Sequence, residues 1–191
     1  MVKNVLFLHK YKGDSENTNV YNAPQKYRAA GKFHDVDTQN DIKNLYCLDF
    51  SKIAKKMVDV IKNNLVEDLF FYAFPSTKDE NKIFNDKLLC VLENRFTHSI
   101  NISSCFIQKK ELNSTCTTTE RPDDKLGDYY GIDTEKFENI TKDKRINKLL
   151  LIDDVHNTGN TFNAMALAIK EIKRNFSIIG FVILKIEKIT E

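Results

Sequence analysis

Residues 149 to 161, Leu-Leu-Leu-Ile-Asp-Asp-Val-His-Asn-Thr-Gly-Asn-Thr, constrain the fold of this chain more than any other stretch. Leu149, Leu150, Leu151 and Ile152 run without polar alternation, the pattern of a strand buried on both faces in the middle of a parallel sheet. Asp153 and Asp154 follow where that strand would emerge. A short polar turn then holds Thr158, Gly159 and Thr161, after which Phe162, Met165, Ala166, Ile169 and Ile172 fall on one side of a helix. The order is strand, acidic tip, anion loop, helix. The first turn of a helix carries unpaired N–H groups and positive partial charge, so small hydroxyl and glycine residues there suit a phosphate group. Two carboxylates beside it suit sugar hydroxyls or a hydrated Mg²⁺.

Other folds also end apolar strands in acids. Response-regulator receivers carry the acidic pair on their first strand, whereas here it lies at residue 153. A P-loop needs glycine five residues before its Gly-Lys, and the only Gly-Lys, Gly31-Lys32, has Lys26 there. The arrangement resembles the phosphoribosyl-diphosphate (PRPP) loop of the type I phosphoribosyltransferases: four apolar residues, two acids, one apolar residue, two variable ones, then Thr-Gly-x-Thr. That resemblance covers thirteen consecutive positions. It implies an α/β fold with a central, mostly parallel sheet, helices on both faces and a small variable hood.

A length of 191 residues suits one such domain, 1–191, and is short for two. With 29 basic and 27 acidic residues the net charge is +2, which removes the electrostatic argument for nucleic acid as a partner. Cys47, Cys90, Cys105 and Cys116 contain no C-x-x-C pair, and the four histidines are equally dispersed, so no zinc site is expected. The apolar run from Val5 to Leu8 is too short for a signal peptide or a membrane span, and the simplest reading is cytoplasmic. Sequons such as Asn101-Ile-Ser103 would matter only in a secreted protein.

Along the chain, residues 4–8 read as a short strand. Residues 9–44 turn polar and aromatic without a period; they are a hood candidate, with Tyr11, Tyr21, Tyr27 and Phe33 available for stacking, or else a surface loop anchored by those rings. After Ser51, Ile53, Ala54, Met57, Val58, Ile61 and Leu65 form a helical stripe with Lys52, Lys55, Lys56 and Lys62 on the wet side. Residues 68–74 are a continuous apolar strand ended by Pro75. Ser76, Thr77 and Lys78 follow, before a helix bearing Phe84, Leu88, Val91, Leu92 and Phe96. Residues 100–107 read as another strand, and 109–144 as a long loop in which Lys109, Lys110, Arg121 and Lys125 are the candidate functional cations. Residues 177–184 form a last strand, expected parallel to 149–152 because a helix crosses between them, with Gly180 allowing a neighbouring backbone to come close.

The resemblance assigns roles to these positions. Asp153 and Asp154 would engage the ribose hydroxyls and help hold Mg²⁺, and Asn157, Thr158, Gly159, Asn160 and Thr161 would wrap the 5-phosphate. Ser76, Thr77 and Lys78 would form the pyrophosphate loop. The 109–144 segment would be a flexible catalytic loop whose Arg121 and Lys125, in mid-loop beside turn formers, approach the departing pyrophosphate. The activity implied is transfer of the 5-phosphoribosyl group of PRPP to a nitrogenous base or other small acceptor, with a homodimer left open. In the 6-oxopurine branch the position of Asn157 is an aspartate that handles a purine ring proton, and a carboxamide cannot act as a base, so that branch is disfavoured. His156 is either a proton carrier or a bystander. Two readings compete with catalysis: a PRPP- or nucleotide-binding regulatory protein on the same fold, and a scaffold that binds a partner through residues 9–44.

Overall fold

The computed structural model describes residues 2, 4–12, 51–65, 70–75, 89–109, 126–142, 144, 146–156, 159–172 and 175–187. In chain order these give β1 (Val5–Lys12), α1 (Ser51–Asn64), β2 (Phe71–Ala73), helical residues 89–95 and β3 (Ile100–Asn101). A 3-10 turn (Ser103–Cys105), β4 (Phe106–Gln108), a second 3-10 turn (Leu126–Asp128) and β5 (Tyr130–Ile132) follow. The chain continues through α2 (Thr134–Thr141), β6 (Lys148–His156), α3 (Asn160–Ile169) and β7 (Ser177–Glu187). Five strands form one sheet in the order β1-β7-β6-β2-β3, every adjacent pair parallel, while β4 and β5 pair antiparallel in a sheet of their own. The architecture is an α/β fold.

Strand alternation divides the core in two. On one face Leu6, Phe70, Tyr72, Leu150, Ile152 and Phe181 pack with Met57, Val58, Ile61 and Leu65 of the α1 region and with Leu92 and Phe96. The other face joins Phe71, Ala73, Leu149, Leu151 and Val182 to Phe137 of α2, to Phe162, Met165 and Ile169 of α3, and to Tyr130 and Ile132 of β5. The unbroken apolar run of β6 is thus explained: Leu149 to Ile152 are each at most 1% exposed because both faces are covered. Rings make the densest contacts. Phe70 and Phe96 meet edge-on at 5.3 Å, and Phe71, Phe137 and Phe176 form a triad with centroids 5.9 to 6.0 Å apart.

The topology has one reversal. From β2 the chain moves outward to β3 across the α1 face; it then crosses back to β6 on the other side of β2 and continues to β7 across the α3 face. The switch in strand order therefore falls between β2 and β6. In open α/β sheets the crevice beyond the carboxyl ends of strands at such a switch is where ligands bind.

Three expectations change. Residues 100–107 are not one strand: β3 stops at Asn101, whose side-chain oxygen accepts hydrogen bonds from the Ser103 backbone N–H at 2.9 Å and hydroxyl at 2.6 Å, bending the chain into the 3-10 turn before β4. The 109–144 stretch holds β5 and α2, because Tyr130, Ile132 and Phe137 bury themselves on the α3 side; residues 110–125 lie outside the described residues. Of the hood candidate, 9–12 belong to β1, paired to β7, and 13–44 lie outside the described residues. Ahead of α2, Asp133 is the N-cap, its carboxylate accepting from the Lys136 N–H at 2.9 Å. Asp133→Ala should lower stability by about 1 kcal/mol in urea unfolding, with Asp133→Asn retaining most of it.

Candidate functional site

At the carboxyl edge, β2 and β6 run side by side with Phe71 opposite Leu149, Tyr72 opposite Leu150 and Ala73 opposite Leu151. Their pairing ends there. On its other flank β6 stays paired with β7 through Asp153–Val182, Val155–Leu184 and His156–Lys185. The strand therefore does not emerge at the acids, as the sequence suggests, but carries Asp153, Asp154 and His156 within the ladder, because β7 is eleven residues long and offers partners that far. His156 is a strand residue and not a loop residue. From Asp153 onward the paired neighbour lies on the β7 side alone among the described residues, and the β2 side opens at the switch point.

Asp153 is half-buried and continues the register of Leu149 and Leu151, on the α3 face. On that face β5 packs against α3 and brings Tyr130, 2% exposed, close enough that burial, reinforced by the Asp153 charge, pushes its phenol well above its ordinary value. The loop end of the β4–β5 hairpin is therefore beside the acidic strand, with the Lys109 N–H donating to the Tyr129 carbonyl at 2.8 Å. The side chain of Lys109 crosses Gly131, where a Cβ would come within 2.5 Å of its Cε. Tyr72 on the opposite face is pushed up to about 12 by burial and then by Glu93, so both phenols are neutral donors at physiological pH. The Cys105 thiol, fully buried, is likewise held up chiefly by burial, which makes it a packing group and no nucleophile.

Gly159 begins the helix with φ 75° and ψ 9°, a left-handed conformation that costs a side-chain-bearing residue and not glycine. Glycine supplies no capping oxygen, so the N-cap position sends no side chain into the first turn of α3. Asn160 and Thr161 occupy that turn, half-buried, and Asn163 donates its N–H to the Gly159 carbonyl at 2.9 Å while its side-chain oxygen accepts from the Val2 N–H at 2.9 Å. Behind them, the Phe162 ring lies on Gly180 of β7: a Cβ there would be 2.6 Å from the ring. What approaches Gly180 is this side chain, not the neighbouring backbone that the sequence suggests.

The structure brings Asp153, Gly159, Asn160 and Thr161 to one edge, with Asp154 next in β6. Asn157 and Thr158 of the anion loop, Ser76, Thr77 and Lys78 of the second loop, and the cations Arg121 and Lys125 lie outside the described residues. The exit of β2 that leads towards 76–78 is described: Phe74 and Pro75 are buried, and the Phe74 N–H donates to the Ser103 hydroxyl oxygen at 2.9 Å. The sequence reading gave Tyr130 no role and noted Asn101 and Ser103 only as part of a sequon. The short aromatic and apolar Tyr-Tyr-Gly-Ile run and the turn-forming Asn-x-Ser spacing are the signals that could have pointed to them.

Among the described residues no group of three or more metal-ligating side chains occurs, and no helix is long and apolar enough to cross a membrane. No protein-family profile matches the chain, and no curated protein matches its sequence.

Proposed function

We propose that the chain is a phosphoribosyltransferase of the type I kind, moving the 5-phosphoribosyl group of PRPP to a nitrogenous base or another small acceptor and releasing pyrophosphate. The observation that carries this reading is the switch point between β2 and β6, with the acidic strand and the left-handed Gly159 turn on one side and the exit of β2 on the other. PRPP has phosphate at both ends and a dihydroxylated sugar between, and so spans two loops that leave adjacent parallel strands, about 4.8 Å apart.

In this reading Asp153 and Asp154 accept hydrogen bonds from the ribose hydroxyls and orient the sugar. The turn from Asn157 to Thr161 holds the 5-phosphate through N–H and hydroxyl donors, and Ser76, Thr77 and Lys78 hold the pyrophosphate. Arg121 and Lys125, which fall between β4 and β5 in the sequence, are the cations assigned to the leaving group. Departure of pyrophosphate leaves oxocarbenium character at the anomeric carbon, and the protein acts by positioning and charge neutralisation. A half-buried carboxylate with a single acidic neighbour fits Mg²⁺, which keeps most of its water and ligand oxygens and takes few protein ligands. When bound, Mg²⁺ would neutralise pyrophosphate charge.

A thermal-shift titration with PRPP and Mg²⁺, followed by a pyrophosphate-release assay over a panel of bases, tests this. Stabilisation should rise with the logarithm of PRPP concentration above Kd, adding about 2.7 kcal/mol at a hundredfold excess. Adenine, orotate, uracil or a non-base acceptor should release pyrophosphate, and hypoxanthine and guanine should not. Binding without release over the whole panel would make the protein a PRPP-dependent regulator; absence of binding would remove the reading.

A further inference from the structure

Among the described residues the hydroxyl of Tyr130 has no hydrogen-bond partner, although the residue is 2% exposed. A buried donor without an acceptor carries a desolvation cost, so its place in the fold needs a reason. Along β6, Leu149 and Leu151 line the core on the α3 face, and strand alternation puts Asp153 next in their row. Opposite Asp153 on β7 stands Val182, fully buried in the core cluster that also holds Tyr130. On the β2 side the ladder has stopped at Ala73 and Leu151. Burial first, and the Asp153 charge second, raise the Tyr130 phenol, so the carboxylate is close enough to act on the hydroxyl without being bonded to it. A donor with no acceptor and an acidic acceptor thus stand near each other at the switch point.

The chemistry of this pair restricts what can join it. An ionised carboxylate only accepts, and the phenol has a proton to give, so a bridging group must donate on one side and accept on the other. An ammonium has no lone pair for Tyr130, and a phosphate oxygen is repelled by Asp153. An alcohol meets both demands, with one proton and two lone pairs. A carboxylate has about four acceptor sites, so Asp153 can keep its other contacts and still take this one. We infer that Tyr130 contacts the sugar of the ligand, with one ribose hydroxyl donating to Asp153 and accepting from Tyr130. The inference rests on the PRPP reading of the crevice, and it makes Tyr130 the residue that, with Asp153, tells ribose from a deoxy sugar.

The test is calorimetry on the full chain with ribose 5-phosphate, 2-deoxyribose 5-phosphate and 3-deoxyribose 5-phosphate as separate titrants. Wild type should bind ribose 5-phosphate about tenfold more tightly than the analogue that lacks the bridging hydroxyl. Tyr130→Phe, which removes only the phenolic oxygen, should lose about fivefold in ribose 5-phosphate affinity and leave affinity for that analogue unchanged. It should also melt at or above the wild-type temperature, since no internal hydrogen bond is lost. An equal loss for all three sugars, or a lowered Tm, would make the hydroxyl a structural group and overturn the proposal. So would equal binding of all three by wild type. A sugar ratio unchanged in Tyr130→Phe, the result if water alone bridges the pair, would overturn it too while leaving the PRPP reading intact. Should Tyr130→Phe not fold, the ultraviolet difference spectrum of wild type decides: ribose 5-phosphate should shift a tyrosine band to the red and the deoxy analogue should not, and identical spectra overturn the proposal. Wild-type protein that binds none of the three sugars fails at the earlier step and overturns both.

Discussion

Asp153→Asn combined with Asp154→Asn should weaken PRPP binding by about a hundredfold or more while the melting transition stays close to wild type. Each carboxylate hydrogen bond to a sugar hydroxyl is a charge-assisted contact worth about 1.5 to 3 kcal/mol, so two together exceed two decades of affinity. The fold should tolerate the change, because Asp153 is half-buried and asparagine keeps the shape and an acceptor oxygen, while the strand's burial comes from Leu149 to Ile152. A second readout accompanies the first. Asp153 contributes to the raised phenol of Tyr130, so removing its charge should let Tyr130 ionise at lower pH in an ultraviolet titration, although burial, the larger cause, keeps it above the ordinary tyrosine value. Affinity equal to wild type in the double variant would contradict the assigned site.

Gly180→Ala should cost about 2 kcal/mol and lower Tm by roughly 4 to 8 °C, a large effect for one methyl group. The added carbon would lie 2.6 and 2.8 Å from two atoms of the Phe162 ring and 3.1 Å from a methyl of Val5. Phe162 is 2% exposed and sits between α3 and the sheet, so the ring can yield only by pushing the helix outward. Phe162→Ala by itself should cost about 3 to 5 kcal/mol through the cavity it leaves. In the double variant the collision disappears, and its cost should fall short of the sum of the two single costs by about 1 to 2 kcal/mol. Strict additivity in denaturant unfolding would show that the ring and Gly180 do not press on each other. Since Phe162 directly follows Thr161, Gly180→Ala should also weaken ribose 5-phosphate binding, by displacing the first turn of α3.

Periodicity located the sheet well where both faces are covered. The run at 149–152 and the stripe of Met57, Val58, Ile61 and Leu65 fall where they should, since burial on a sheet or along a helix leaves its period in the sequence. The ends of strands were less legible. The extension of β6 through Asp153 to His156 depends on the length of β7, a partner distant in the chain, and no local residue announces it. The break after Asn101 depends on a side chain bonding two residues ahead, which overrides the apolar run behind it. Within the candidate site the acids and the Gly-x-Thr run could be picked out as candidates because they sit together on one strand end and one helix start. Tyr130 could not, because it comes within the influence of the Asp153 charge from a separate hairpin whose second strand falls in a stretch the sequence presents as a loop.

The start of α3 is held from three directions: the left-handed Gly159 before it, the Phe162 ring seated on Gly180 beneath it, and the Val2 N–H bonded to Asn163 on its first turns. In the proposed reading, an anion arriving there would meet donors whose configurational freedom was surrendered during folding. Binding at that end would then carry a small ordering penalty, and intrinsic affinity would be almost undiminished as free energy of association. The cost was charged once, to the stability of the protein, through a glycine that leaves room for a phenyl ring on the far side of the helix.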